Sequence, residues 1–299
     1  MSAPEPAETT NRSTAAFIAA TPALFVLLWS TGFIGARFGL PYAEPFTFLL
    51  LRFAILTVVL VAVALATRAP WPRSTAEVGH TAVVGLLVHA TYLGGVFAAI
   101  HLGIEPAVAA LIVGTQPLLT AVAAGPYLGE TVTPRQWLGL VIGLVGVALV
   151  VAEKLTFETR HVGGAVLAVL ALVGITVGTL YQKRHGGAMD LRTGSAIQFI
   201  AAAIPMLILA LIFETMRVSW TGEFVFALGW LVVVLSLGAI SLLYLMIRRG
   251  AASKVASLFY LVPPVTALMA YAMFGNTLGP LALAGMVAAA VGVALVVRD

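Results

Sequence analysis

Ten apolar runs, each about as long as a membrane-spanning helix, dominate the amino-acid sequence. A helix needs about 20 apolar residues to cross the hydrocarbon core, whereas a strand of a membrane barrel needs about half that number and alternates in polarity. Composition agrees, because 61% of the residues are hydrophobic and 9% are charged, against about 25% charged in a soluble domain. The runs predict an all-α polytopic membrane protein with spans at 17–39, 46–67, 77–100, 104–126, 134–152, 162–182, 191–213, 224–247, 251–273 and 278–297.

Several function classes are disfavoured by residue types and spacing. The chain has no cysteine, which excludes thiolate metal sites, disulfides and thiol redox switches. His80 and His89 are nine positions apart, which is about half a turn out of phase on a helix, and His101 lies twelve positions further. We therefore expect no metal ion and no cofactor. The 16 Lys and Arg residues are scattered in ones to threes, so no nucleic-acid partner is expected.

Lys and Arg residues near the span ends predict the orientation in the membrane. With the N-terminus inside, eleven of them fall on the cytoplasmic side and four on the outer side. Positive charge accumulates on the cytoplasmic side of membrane proteins, so we expect both termini to be cytoplasmic. The polar residues 1–15 are expected to form a disordered cytoplasmic tail.

The two halves of the chain carry an internal repeat. Segment 107–151 aligns with segment 254–297, Pro117 and Pro264 are 147 positions apart, and both segments contain GVALVV. Three glycine pairs recur at a spacing of 146, namely 129 and 275, 139 and 285, and 146 and 292. Such register over about 45 residues argues against chance similarity between apolar stretches. We expect one repeat at 16–152 and another at 160–299.

The number of spans in each repeat determines how the two are related. Each repeat holds five spans, and because five is odd the second repeat must enter the membrane from the opposite side. The result is an inverted-topology repeat with a pseudo-two-fold axis in the membrane plane, an architecture typical of transporters that open to one side at a time.

Five segments in this order resemble a known family. They are WSTGFIGARFG at 29–39, PFTFLLLRF at 45–53, AVAALIVGTQPLLTA at 107–121, LGETVTPRQWLGLVIGLVGVALVV at 128–151 and ASKVASLFYLVPPVTALMAYAMFG at 252–275. The chain resembles the drug/metabolite transporter superfamily of EamA type, and within it the YddG-type amino-acid exporters. The resemblance implies ten helices in two repeats, a bacterial inner membrane and export of small metabolites. Phe-Gly-Asn at 274–276 departs from the family's Glu, which puts the polar anchor at the outer start of span ten in doubt.

Two prolines in the middle of spans predict a central site. Pro117 and Pro264 each remove a helical hydrogen bond and free the carbonyl four residues earlier, at Val113 and Tyr260. In hydrocarbon a free carbonyl must face a cavity or find another partner. Matched interruptions in two halves indicate a substrate site between them. The alternative is a pair of helix bends whose carbonyls bond to neighbouring helices.

Further candidates are polar and aromatic side chains within the spans. Those expected at a substrate cavity are Trp29, Ser30, His89, Tyr92, Gln116, Thr176, Thr179 and Tyr260. The alternative is a helix-to-helix hydrogen bond for Ser30, Gln116, Thr176 and Thr179, and for His89 it is a buried ring bonded to a backbone carbonyl. Tyr181, Tyr244 and Lys254 lie near cytoplasmic ends and are gate candidates, the alternatives being an interfacial aromatic belt and a snorkelling lysine. Arg52 is expected to pair with Glu44 or with a carbonyl.

These features predict a transporter of small metabolites, chiefly neutral and aromatic amino acids, that works by alternating access, and the family resemblance implies that it exports them. All twelve carboxylates fall in tails, loops or helix ends, which favours a facilitator over an ion-coupled pump, with His89 as the one alternative proton site. Multidrug efflux and uptake of a cofactor precursor remain alternatives. The chain has no HExxH, no GxSxG and no buried acid pair, so an intramembrane enzyme is disfavoured. We expect a monomer or a weak homodimer.

Overall fold

The structure, a computed structural model, describes residues 6–104, 106–152, 162–186, 189–274 and 278–298. Within these residues nine helices are long and apolar enough to cross a membrane, and the apolar helix at Pro134–Val150 is shorter. We number the ten helices α1 to α10. The all-helical, multi-span architecture predicted from the apolar runs is confirmed.

The first half contains three continuous and two interrupted helices. The continuous helices are α1 at Pro6–Gly39, α2 at Pro45–Ala66 and α5 at Pro134–Val151. Helix α3 runs as Thr75–Val84, a π-helical segment at Gly85–Thr91, and Tyr92–His101. Helix α4 consists of Pro106–Val113 and Gln116–Leu128.

The second half has the same arrangement. The continuous helices are α6 at Val162–His185, α7 at Leu191–Phe213 and α10 at Pro280–Val297. Helix α8 runs as Gly222–Trp230, a π-helical segment at Leu231–Ala239, and Ile240–Arg249. Helix α9 consists of Ala252–Ser257, a 3₁₀ turn at Leu258–Leu261, and Val262–Phe274.

The interruptions occupy matching positions in the two halves. The π-helical segments start at Gly85 and Leu231, 146 positions apart. In α4 and α9 a new helical piece starts just before Pro117 and Pro264, because proline lacks the N–H that a helix interior requires but fits its first turn. The proline-based prediction of broken helices is confirmed. The π-helical segments contain no proline, so this argument did not reveal them.

The main helix contacts between the two halves have counterparts when the halves are exchanged. Equivalent helices pack on each other in the pairs α2–α7, α4–α9 and α5–α10. The contact of α1 with α8 has its counterpart in α6 with α3, and that of α1 with α9 has its counterpart in α6 with α4. The core of the protein is therefore formed between the halves.

Glycines bring α5 and α10 into backbone contact. A Cβ added at Gly146 would lie 2.4 Å from the backbone nitrogen of Ala289, and one added at Gly139 would lie 2.6 Å from the carbonyl oxygen of Gly292. In a membrane, where apolar surface is not driven together by water, such close approach provides packing energy. The backbone of Gly143 takes part in the same contact, because a Cβ added at Gly292 would lie 2.4 Å from its nitrogen.

One expectation about the N-terminus differs from the structure. The polar residues 1–15 were expected to be disordered, whereas α1 begins at Pro6; residues 1–5 lie outside the described residues. Extending an existing helix adds one hydrogen bond for each residue fixed, without a new nucleation step. The apolar part of α1 can thus carry a helical extension whose composition alone predicts a coil.

We predict that Gly146→Ala destabilises the protein. The new Cβ forces α5 and α10 apart, and overpacking of this kind costs about 1–3 kcal/mol, so the Tm of the purified protein in detergent falls. Gly229→Ala is the matched control, because nothing lies within 4 Å of a Cβ at that helical position, and alanine there favours the helix. Equal Tm values for the two variants would contradict the glycine contact.

Candidate functional site

A narrow cavity lies where α1, α2, α3 and α8 meet. Its volume between the lining atoms is about 480 Å³, which includes open space at its mouth. Apolar side chains form most of the wall, together with four side chains that can form hydrogen bonds, Trp29, Arg52, His89 and Tyr92. Both π-helical segments contribute to it, through Val88 and His89 in α3 and through Leu235 in α8.

A second, smaller space of about 250 Å³ lies behind Trp29 and Tyr92. It is bordered by the break in α4, at Val113 and Gly114, and by the break in α9, which includes Pro263. Trp29 and Tyr92 line both spaces. The four helix interruptions therefore converge on one central region, the arrangement expected where irregular backbone lines a cavity.

Aromatic rings form the partition between the two spaces. The rings of Trp29 and Tyr92 are stacked with centroids 6.4 Å apart, and Phe259 meets Trp29 edge-on at 5.2 Å. Trp29 and Tyr92 are 5% and 3% exposed. Offset and edge-on pairs of this kind stabilise each other by about 0.5–1.5 kcal/mol beyond area burial, so the partition has a defined geometry and presents flat apolar faces.

Two polar contacts link the halves at equivalent positions. Arg52 of α2 donates two hydrogen bonds to the hydroxyl of Ser236 in α8, at 3.0 and 2.7 Å. In the other half, Gln198 of α7 meets His89 of α3, with 3.3 Å between the amide oxygen and Nε2. Arg52 and Gln198 are each the eighth residue of their helix. Each link joins the second helix of one half to a π-helical segment of the other.

The Gln198 link extends into a buried network. The hydroxyl of Tyr244 donates to the amide oxygen of Gln198 at 2.7 Å and lies 3.4 Å from Nε2 of His89. The amide nitrogen of Gln198 donates to Gln182 at 3.4 Å. The ring of Phe199 stacks on His89 with centroids 4.4 Å apart. His89 is thus held by protein groups on one edge and one face while it borders the cavity.

Of the ten cavity candidates from the sequence, the structure brings three to the central cavity: Trp29, His89 and Tyr92. Gln116 instead donates to Thr179 at 3.4 Å between α4 and α6. Tyr260 packs against Gly143 of α5. Pro117 and Pro264 act through the breaks that they create and do not line either space.

The hydroxyl candidates mostly bond to their own helices. Thr176 and Thr179 donate to the carbonyls of Leu172 and Ile175, four residues earlier, each at 2.7 Å. Ser30 donates to Val26 at 2.7 Å and lies 3.4 Å from the carbonyl of Val262 at the α9 break. Such back-bonding satisfies a hydroxyl inside a helix. The inter-helix contacts in this group are those of Gln116 with Thr179 and of Ser30 with the carbonyl of Val262.

The three gate candidates have different environments. Tyr244 is fully buried, so the interfacial belt considered for it is wrong: it is part of the internal network. Tyr181 is half-buried, with its hydroxyl 2.6 Å from Nδ1 of His80. Lys254 is partly buried in the first piece of α9.

Carboxylates near the helix ends form hydrogen bonds between the halves. Glu214, at the end of α7, accepts hydrogen bonds from the first backbone N–H groups of α2, Phe46 and Thr47, each at 2.7 Å. Glu44 accepts from Thr215 at 2.7 and 2.8 Å, and these bonds, chiefly the one from its hydroxyl, lower the pKa of that carboxyl. Anions at helix N-termini are stabilised by the helix dipole.

On the other side of the protein, two more carboxylates form similar bonds. Glu130 accepts from the backbone nitrogen of Ala252 at the start of α9, at 2.9 and 3.1 Å. Hydrogen bonds from Arg192 lower the pKa of Asp190. Asn276, where the second half departs from the Glu of the first, lies outside the described residues. Among the described residues no group of three or more His, Asp or Glu side chains could hold a metal ion.

Arg52 is the functional candidate that sequence reasoning misplaced. Its predicted partner Glu44 bonds to Thr215, and Arg52 itself bonds to Ser236 within the core. Because α2 and α8 are far apart in the chain, their contact was not visible in a local pattern. The repeat held a usable signal: Arg52 and Gln198 are 146 positions apart, and both are polar residues within apolar spans.

Comparisons with known proteins agree with this architecture. The EamA-like transporter family is matched twice, by residues 15–152 and by residues 162–298. The transporter YvbV of Bacillus subtilis (strain 168) is 28% identical, over 92% of this chain and 89% of its own. A protein of Salmonella typhimurium named probable amino-acid metabolite efflux pump is 24% identical, over 88% of this chain and 89% of its own. A solved structure at 22% identity has the same fold, with a TM-score of 0.76 over 95% of this chain and 97% of the other.

We predict that Tyr244→Phe destabilises the protein by about 1 kcal/mol, the usual effect of losing one buried hydrogen bond. The change leaves the amide oxygen of Gln198 without its 2.7 Å donor. Tyr271→Phe is the matched control, because Tyr271 is 55% exposed. Thermal unfolding in detergent measures both, and a Tyr244→Phe protein as stable as the Tyr271→Phe protein would refute the contribution of this network.

Proposed function

Because the chain belongs to the EamA-like transporter family, we propose that it exports small amphipathic metabolites, above all neutral and aromatic amino acids, across the bacterial inner membrane. The family match and the fold both agree with a multi-pass membrane transporter. The amino-acid substrate is supported by the relative named as a probable amino-acid metabolite efflux pump and by the lining of the central cavity. The outward direction is carried over from the family resemblance.

The observation that carries the proposal is the convergence of four helix interruptions on one central region. Backbone that departs from the α-helix at membrane depth is tolerated where it lines a cavity, and transporters place substrate sites at such breaks. Here the site is walled by Trp29, Phe33 and Tyr92, whose faces suit an apolar side chain. The backbone near Val113 and Pro263 can offer dipoles to the polar end of a solute.

We propose alternating access between two inverted repeats, residues 16–152 and 160–299. The exchange-symmetric helix pairs and the repeated family match support this. In such a pair, each half can adopt the conformation of the other, so that the cavity opens to the opposite side. The α5–α10 backbone contact lies away from the cavity and would stay closed.

We further propose that transport follows the solute gradient without a coupled ion. The carboxylates Glu130, Asp190 and Glu214 accept from backbone N–H groups at helix starts, and Glu44 accepts from Thr215. The central cavity has no Asp or Glu among its described lining residues. Ion-coupled transporters commonly place an acid at mid-membrane. Uptake into liposomes that depends strictly on a pH gradient would contradict this part of the proposal.

The function is tested by counterflow. Purified protein in liposomes preloaded with unlabelled amino acid is expected to accumulate labelled phenylalanine and leucine transiently, while protein-free liposomes do not. A panel that also contains a cationic drug and a vitamin precursor separates amino-acid transport from the alternatives. Counterflow of those compounds without counterflow of amino acids would refute the substrate.

We predict that Trp29→Ala lowers amino-acid counterflow at least tenfold. The indole contributes to the walls of both spaces and stacks on Tyr92, so its loss removes the surface against which the solute packs. Trp220→Ala is the matched control, because Trp220 is 63% exposed and lies outside the helices. Equal losses in the two variants would show that the effect is not local to the cavity.

The orientation gives a separate prediction. The chain has no native cysteine, so a single introduced cysteine reports its side of the membrane. We expect Ser74→Cys to react with an impermeant maleimide only after the cytoplasmic membrane is permeabilised, because the charge bias places that loop inside. Ser219→Cys is expected to react in intact cells. The reverse labelling pattern would invert the proposed topology.

A further inference from the structure

Arg52 is a fully buried cationic side chain in the wall of the central cavity. Its Nε and Nη2 donate to the hydroxyl of Ser236, and Nη1 has no hydrogen-bond partner. In the part of the chain that the structure describes, no carboxylate forms a salt bridge with this guanidinium at 4.0 Å or less. A single neutral hydroxyl is thus its only protein partner there.

Such an environment leaves the charge uncompensated. Removing a cation from water is unfavourable, and an opposite charge and further hydrogen bonds must offset that cost. Guanidinium has five N–H donors in a planar fork that matches a carboxylate. A charged residue inside a membrane segment commonly marks a substrate pathway. Arg52 therefore presents unused donors and an unused charge at the cavity.

The equivalent position in the other half shows that the fold does not require a buried cation there. Gln198 occupies the same place in α7 that Arg52 occupies in α2. Both ends of its amide have protein partners, Tyr244 at the oxygen and Gln182 at the nitrogen. A neutral, satisfied side chain thus serves the helix contact in one half, whereas the other half carries a cation with a free donor.

We propose that Arg52 binds the carboxylate of the transported solute, so that the protein selects small amphipathic carboxylates by their anionic group. The apolar part of the solute packs on Trp29, Phe33 and Tyr92, and Ser236 holds the guanidinium in place. No acidic side chain among the described lining residues can recognise an ammonium group. The carboxylate is therefore required and the amino group is dispensable. This inference rests on the proposed transport function and specifies its substrate class.

The first test uses the wild-type protein alone. Labelled L-phenylalanine counterflow is measured with two competitors of similar size, 3-phenylpropionate, which has only the carboxylate, and 2-phenylethylamine, which has only the ammonium. We expect 3-phenylpropionate to inhibit at least tenfold more strongly. Equal inhibition, or stronger inhibition by the amine, overturns the proposal without depending on the folding of any variant.

The second test is binding, measured as the rise in Tm that a ligand causes. We expect 3-phenylpropionate to raise the Tm of the wild type and not that of Arg52→Met. The unliganded Arg52→Met protein is expected to be about as stable as the wild type, because removal of a buried charge offsets the loss of its hydrogen bonds to Ser236. Gln198→Met, the equivalent change in α7, is the control and is expected to retain the ligand-induced rise.

The outcomes separate this inference from the proposed function. Phenylalanine counterflow together with an undiminished Tm rise in Arg52→Met overturns the inference and leaves the transport function standing. An Arg52-dependent Tm rise without amino-acid counterflow supports the carboxylate site and refutes the amino-acid substrate. If sodium chloride raises the wild-type Tm as much as an equal concentration of sodium 3-phenylpropionate, a simple anion occupies the site and the inference is overturned.

Discussion

The absence of water from the hydrocarbon core is the constraint on which this structure depends. Every backbone N–H and C=O in that layer needs a partner within the protein, so continuous helix is the default and any departure must be compensated. Among the residues that the structure describes, four helices depart from α-helical geometry, α3, α4, α8 and α9, and they do so at equivalent places in the two halves. All four departures border the same central region. The positions of the helix interruptions therefore mark the location of the candidate site.

Packing between the halves follows from the same constraint. Because apolar side chains gain little by leaving lipid, helices associate through close fit and through a few internal hydrogen bonds. The glycines of α5 and α10 supply the first kind of contact. The links from Arg52 to Ser236 and from Gln198 to His89 supply the second. Both kinds of contact occur at equivalent positions of the two halves. The interface between the halves is therefore approximately symmetric.

The predictions from sequence succeeded where a sequence feature has a single structural consequence in a membrane. Long apolar runs predicted the spans, and Pro117 and Pro264 predicted the broken helices. It failed where the partner of a residue depends on distant packing. Arg52 was expected to pair with Glu44 or with a carbonyl, yet its partner is the hydroxyl of Ser236, 184 positions away. Tyr244 was a candidate for a gate or for the interfacial belt from its place near a helix end, yet its hydroxyl belongs to the core.

The sequence by itself determined that this chain is a multi-helix membrane protein built from two similar halves. The length of the apolar runs, the positions of the prolines and the repeated glycines are local features, so they can be recognised without knowledge of tertiary contacts. Only the tertiary structure decided which polar side chains face the cavity and which satisfy one another. A helix in lipid can be rotated about its axis with little change in apolar burial, so its facing residues are set by the neighbours on which it packs. That is why Thr176 and Thr179 bond within α6, while Arg52 faces the centre with a donor unused.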